Sequence, residues 1–266
     1  MPLSPLLAGY DQVLLDLDGC VWVGERCTRA APEAISELRA VGKAVAFLTN
    51  DARRSPEDYV RKLWSLGVRA SLEEVVTVGA AIQFSLAERG HGTSAYVIGS
   101  PAIHRHVAEA GLRILNGTDL AAEADVVVIA AYDDLRFSEL RAATQAVLGG
   151  AEMLAAGRDR TFPTPSGVWP GTGAIVAALE YATQHSARVV GKPGRQMFDA
   201  ALDRLGNGRA LVVGDRLDSD LAGACAAGID GAIVLTGVST RAQAEQAHEP
   251  SPVAIADDLH ALVVGT

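Results

Sequence analysis

The chain has 266 residues, of which 49% are hydrophobic, 5% aromatic and 21% charged, a balance that supports a large buried core and excludes intrinsic disorder. Twenty-three basic against thirty-two acidic side chains leave a net charge of -9, which repels nucleic-acid phosphates, so no nucleic-acid partner is expected. Cys20, Cys27 and Cys225 lack any Cys-x-x-Cys spacing, and no run of about twenty apolar residues or secretory leader pattern occurs, so a cytoplasmic protein without membrane association is expected.

Val13-Leu14-Leu15 is a short apolar run ending at Asp16 and predicts a strand. A helix is predicted from Pro32 to about Ala40 and a second strand over 44–48. Further apolar runs at 96–98, 125–130, 189–190, 211–213 and 232–235 alternate with amphipathic segments at 57–66, 137–148, 174–183 and 195–205. Continuous rather than alternating apolar strands, separated by helices, fit a parallel sheet covered on both faces. The predicted class is therefore α/β. No internal repeat of fixed period, Ser/Gly linker or low-complexity tract marks a boundary.

The polar residues that follow these strands carry the chemical signal. Asp16 closes the first strand and Asp18 follows two residues later, so both carboxylates face one side, and Gly19 permits a sharp turn. Two carboxylates so close call for a cation or a raised pKa, although a solvated strand-end turn would use the same residues. Thr49 and Asn50 end the second strand as donors suited to phosphoryl oxygens, or alternatively as a cap. Gly191-Lys192-Pro193 follows the 189–190 run, and Asp215, Asp218 and Asp220 follow the 211–213 run. A solvated lysine and a solvated acidic loop are the plain alternatives. Ligands of open α/β sheets bind outside the carboxyl ends of strands, which gives all four signals one destination. Oxygen ligands from Asp16, Asp18 and Asp215 select Mg²⁺ over a soft metal. The set suits phosphoryl transfer through an aspartyl-phosphate, with Asp16 as nucleophile, Asp18 as acid and then base, and Thr49, Asn50 and Lys192 binding phosphate.

The strings Asp16-Leu17-Asp18-Gly19-Cys20-Val21-Trp22, Leu48-Thr49-Asn50, Gly191-Lys192-Pro193 and Val213-Gly214-Asp215-Arg216-Leu217-Asp218-Ser219-Asp220 resemble the four motifs of haloacid dehalogenase superfamily phosphatases. The longer stretches 214–220 and 163–180 look like the 4-nitrophenylphosphatase-like branch, a class of phosphoric monoester hydrolases. The resemblance implies that Asp16, the backbone carbonyl of Asp18, and Asp215 hold Mg²⁺. It implies that Asp220 orders metal-bound water, and it leaves Asp218 without a role. It further implies a doubly wound, Rossmann-like core with an inserted α/β cap. The core is expected over 1–81 and 186–266 and the cap over 82–185, because roughly 140 residues separate Asn50 from Lys192. Such a cap would act as a lid, and relatives often form homodimers through it.

Two departures bear on specificity. Asp51 stands where relatives usually carry a second Asn, and Arg158 stands in a loop expected to face the site, beside Asp159 and Arg160. Arg158 is a candidate partner for a polar or anionic substrate tail, or else part of a solvated loop. The expected activity is hydrolysis of a small phosphomonoester, with glycerol phosphate or a small sugar phosphate favoured. A non-enzymatic phosphoacceptor switch and a phosphotransferase would use the same Asp16. Three further features are assigned no chemistry: His104 and His106 point apart on a helix, Cys20 reads as a small packed residue, and Gly171-Thr172-Gly173 serves equally as an anion cradle or an N-cap turn.

Overall fold

The computed structural model describes residues 3–89, 92–164 and 167–265. Along the chain the elements are β1 (Gln12–Asp16), β2 (Trp22–Val23), β3 (Arg26–Cys27), α1 (Ala31–Ala40), β4 (Ala44–Thr49), α2 (Pro56–Ser65), β5 (Val75–Thr77) and α3 (Val78–Ala87). They continue as β6 (Ser94–Ile98), α4 (Pro101–Glu109), β7 (Arg113–Ile114), β8 (Val126–Ile129), α5 (Phe137–Leu148), β9 (Glu152–Ala155), β10 (Thr161–Thr164), β11 (Gly167–Pro170) and α6 (Thr172–Thr183). The remainder are β12 (Arg188–Val189), α7 (Gln196–Leu205), β13 (Ala210–Gly214), α8 (Ala222–Ala227), β14 (Asp230–Val234), α9 (Arg241–Glu245), β15 (Ala254–Ala256) and α10 (Leu259–Val264).

Two compact units form. The first comprises residues 1–49, 56–76 and 192–266; the second comprises 50–55 and 77–191. The first holds a six-stranded sheet in the order β15-β14-β13-β1-β4-β5, in which β1 lies parallel between β13 and β4. Alternate residues of its strands, Val13 and Leu15, Val45 and Phe47, Leu211 and Val213, join Ile35 and Leu38 of α1 and Leu262 and Val263 of α10 in one core cluster. Ile233 lies between Ala232 and Val234 of that cluster but packs instead with Leu221 and Ala244. Both faces of the sheet are thus covered, which explains why its strands read as unbroken apolar runs. Ala31, Ala34, Ile35 and Leu38 are the buried positions of α1, at the helical spacing i, i+3, i+4, i+7.

The second unit contains a parallel five-stranded sheet in the order β12-β9-β8-β6-β7. Tyr96 and Ile98, Val127 and Ile129, and Met153 and Ala155 pack there against Ala143, Ala146 and Val147 of α5 and Ile175, Val176 and Leu179 of α6. The parallel α/β class expected from the sequence is therefore observed. Arg188–Val189 pairs with β9, so this strand joins the five-stranded sheet, whereas the sequence reading grouped it with 186–266. A two-residue strand carries no pattern that names its partner. Of the 163–180 stretch, Pro165 and Ser166 lie outside the described residues. Among the described residues no helix is long and apolar enough to cross a membrane.

Candidate active site

The first unit gathers its charged residues where β1 and β13 end. Asp16 is the last residue of β1, fully within the buried pattern of that strand, and Asp215 directly follows β13. One oxygen from each of Asp16, Asp215 and Asp220 lies within 4.8 Å of the others. Exposure is 7% for Asp16, 1% for Asp215 and Asp220, and 3% for Lys192, so water does little to screen them. Lys192 Nζ donates to Asp16 Oδ1 and, at 2.6 Å, to Asp220 Oδ1. Asp220 Oδ2 accepts from the Arg216 backbone N–H at 3.1 Å, so both of its oxygens are engaged.

Three buried carboxylates and one ammonium share this site, and the charges act on one another. Burial pushes Asp16 up, Lys192 pulls it back, and Asp220 and Asp215 push it up again, leaving it well above the ordinary carboxylate range. Asp215 is pushed up to about 7, by burial first and then by Asp220. Burial alone would lower the Lys192 pKa, but the Asp16 and Asp220 charges outweigh it and hold the group protonated. The buried Asp215 Oδ1 has no hydrogen-bond partner. An unpartnered, buried, negative oxygen beside two more carboxylates is a donor set of the kind a hard divalent cation requires. The residues present therefore fit Mg²⁺.

Backbone geometry brings these groups together. Gly19 has φ +97°, and a Cβ there would lie 2.5 Å from Asp215 Oδ2, so only glycine lets the loop after β1 turn so close to Asp215. Sequence reasoning did not identify the loop after β14. There Val238 N–H donates to Asp215 Oδ2 at 2.5 Å, Thr236 Oγ1 donates to Gly19 O at 2.5 Å, and a Cβ on Gly237 would lie 1.9 Å from Asp215 Oδ2. Glycine at 237 was the one visible signal, because a backbone N–H leaves no mark on sequence.

The structure does not group Asp18 with the three buried carboxylates. Its Oδ1 accepts from Trp22 Nε1 at 2.8 Å, and residues 18 and 22 form a bridge. Thr49 is buried one position beyond Leu48, the ladder partner of Asp16. Asn50 belongs with 50–55 to the second unit, where its Nδ2 donates to Asp159 Oδ2 at 3.2 Å. Asp51 binds Arg53 Nε at 2.7 Å and Nη2 at 3.0 Å. Arg158 is neither simply solvated nor uncommitted, because it pairs with Glu180 at 3.0 and 2.5 Å. Asp218 accepts from Arg216 at 3.1 and 2.9 Å on the exposed side.

The three features set aside from the sequence resolve as follows. His104 Nδ1 meets Ser100 O and His106 Nδ1 meets Gln83 Oε1, so the two rings have separate partners. Cys20 is fully buried, and burial followed by the Asp16 charge raises its thiol well above the ordinary range. The N–H groups of Gly171 and Gly173 donate to Arg160 O and Asp159 O, so this turn packs α6 onto the 158–161 backbone and is not an anion cradle.

The carboxylates and lysine at the carboxyl ends of a parallel sheet define the phosphoryl-transfer class of doubly wound α/β hydrolases. The Haloacid dehalogenase-like hydrolase profile matches residues 13–113 and a HAD-hydrolase-like profile matches 189–262. The chain is 38% identical over 256 residues to the D-glycerol 3-phosphate phosphatase of Mycobacterium tuberculosis, covering 95% of this chain and 71% of that protein. It is 31% identical over 250 residues to the acid sugar phosphatase of Staphylococcus aureus, covering 93% and 95% respectively. The crystal structure of glycerol phosphate phosphatase from Mycobacterium tuberculosis in complex with magnesium superposes with a TM-score of 0.89 at 37% identity, covering 98% of this chain and 79% of that one. The chain belongs to the haloacid dehalogenase-like hydrolase family and is a phosphoric monoester hydrolase.

Proposed function

We propose that this enzyme is a Mg²⁺-dependent phosphatase of a small phosphorylated metabolite, glycerol phosphate or a small sugar phosphate, acting through an aspartyl-phosphate on Asp16. The buried meeting of Asp16, Asp215, Asp220 and Lys192 carries the reading. Similarity to the glycerol 3-phosphate and acid sugar phosphatases supports the substrate class, and the magnesium complex supports the ion. Asp16, Asp215 and the Asp18 carbonyl would hold Mg²⁺, which when bound supplies positive charge beside the transferring phosphoryl group.

The remaining roles fall to the chain's own side chains. Asp16 attacks phosphorus, displacing the ester oxygen and forming the acyl phosphate. Asp18 gives its proton to the departing alkoxide and then takes one from the water that cleaves the acyl phosphate. Lys192 offsets the charge of the transferred group, Asp220 holds Lys192 in place, and Thr49 and Asn50 donate to phosphoryl oxygens. The second unit serves as the substrate-reading cap. Its candidate residues Asp51, Arg158 and Asp159 already have partners in Arg53, Glu180 and Asn50, so a substrate polar group would compete with those contacts.

The test is phosphate release from a panel of alkyl, sugar and aryl phosphomonoesters, with Mg²⁺ or EDTA, alongside Asp16→Asn. Release that requires both Mg²⁺ and Asp16 is expected. No release from any ester overturns the reading. A stable phosphoprotein without turnover would point to a phosphoacceptor, and transfer to an added alcohol would point to a phosphotransferase.

A further inference from the structure

Among the described residues Trp22 is the largest fully buried side chain, at 0% exposure, yet it sits only six residues after Asp16 on a two-residue strand. A fully buried indole needs an acceptor for its N–H, and the acceptor here is a carboxylate of the first motif rather than a backbone carbonyl. Here Trp22 Nε1 donates to Asp18 Oδ1 at 2.8 Å. The loop that makes this contact is wound tightly. Val21 N–H and Trp22 N–H both donate to Leu17 O, at 2.9 and 3.1 Å, and Gly19 N–H donates to Trp22 O at 2.7 Å. These bonds fold residues 17–22 so that Trp22 returns beside Asp18.

The indole is in turn fixed by α2, on the face where residues three apart are neighbours. The Tyr59 ring lies parallel to the indole, 5° between planes and 6.4 Å between centroids. Lys62 Nζ stands 4.4 Å from the centre of the Trp22 ring and is tethered by donating to Gly24 O at 2.7 Å. A cation over the ring face and a parallel ring together restrict an indole that packing alone would leave less directed.

We propose that Trp22 is a positioning residue that sets the orientation of the Asp18 carboxylate for protonation of the leaving group, with Lys62 and Tyr59 holding the indole in register. The proposal rests on the assignment of Asp18 as acid and base. The indole N–H holds Oδ1 and so ties the direction of the carboxyl group to the fixed indole. In the first step the P–O ester bond breaks as the Asp16–P bond forms, and the proton on Asp18 moves to the departing alkoxide.

Leaving groups distinguish this from a packing role. An alkyl phosphate needs a proton delivered to its poor leaving group, whereas 4-nitrophenolate departs without one. The value of kcat/KM, which reports the step that forms the acyl phosphate, is therefore compared for an alkyl ester and for 4-nitrophenyl phosphate in wild type, Trp22→Phe, Lys62→Met and Asp18→Asn, with thermal unfolding of each. A carboxyl group misplaced by a fraction of an ångström loses much of its contribution, so Trp22→Phe should lower kcat/KM for the alkyl ester about tenfold or more and for 4-nitrophenyl phosphate by about twofold at most. Lys62→Met should move the ratio of the two in the same direction by about threefold, as expected for loss of one cation–π contact. Equal losses on both esters in Trp22→Phe would overturn the proposal. If Trp22→Phe does not fold, an unchanged ratio in Lys62→Met overturns it. If Asp18→Asn itself shows no dependence on the leaving group, the acid role of Asp18 falls instead, which separates that failure from this one.

Discussion

Asp215 is held by two opposed conditions. Its Oδ2 receives the Val238 N–H, while its buried Oδ1 receives nothing and faces two more carboxylates. A carboxylate whose folded pKa is raised from 3.8 to about 7 stabilises the fold below the unfolded value and loses that contribution as pH rises through about 7. Asn at this position keeps an acceptor for Val238 and carries no charge. The metal-free Asp215→Asn protein should therefore melt above wild type at pH 8, and the difference should close as the pH falls toward 4; circular dichroism melts over that range check it. Mg²⁺ should raise the melting point of wild type and leave the variant unmoved. Lys192→Ala acts in the opposite sense, because it leaves Asp16 and Asp220 buried without their ammonium. Removing one partner of a buried pair costs about 3–5 kcal/mol, so this variant should melt well below wild type in the same assay.

Among the elements, the end of the sheet opposite the site is tied by a second charge cluster. Tyr10 precedes β1, Arg209 precedes β13 and Asp230 begins β14; Tyr10 Oη and Arg209 Nη2 each donate to Asp230 Oδ2 at 2.8 Å. The hydrogen bond from Tyr10, followed by that from Arg209, holds Asp230 below the ordinary carboxylate range. A depressed pKa gives stability that is present above the unfolded value near 3.8 and is lost as pH falls through the folded one. Asp230→Asn should cost about 1 kcal/mol at pH 6, discounted for solvent exposure, and the gap to wild type should vanish by about pH 3 in urea melts. Nothing in the sequence announced this cluster, since its three residues come from distant segments joined only by the sheet order. The carboxylates after β1 and β13 were legible because an apolar run buried on both faces has one place to become polar, its end. β9, β10, β11 and β15 were not, being short or mixed in composition, and the Val238 amide was invisible because any residue but proline supplies it. Trp22 was visible within the first motif, but its hydrogen bond to Asp18 depends on the winding of residues 17–22.

At the scale of the whole chain, the polypeptide passes between the two units at 49/50, 55/56, 76/77 and 191/192. Thr49 and Lys192 are thus the residues of the first unit at two of those passages, and Asn50 opens the second. Each unit has its own apolar cluster and its own parallel sheet, and units so built open independently when few of their core contacts are shared. The proposed ion is held by residues of the first unit alone. Binding only the folded form stabilises it by about 2.7 kcal/mol at a ligand concentration 100 times Kd, and that gain is confined to whatever opens together with the site. Hydrogen exchange of the full-length protein with and without Mg²⁺ should therefore slow at β1, β13 and the 236–238 loop while leaving β6 and β8 unchanged. Equal slowing in both sheets would mean that the two clusters open as one cooperative body, and slowing in neither would remove Mg²⁺ from the site proposed at Asp16, Asp18 and Asp215.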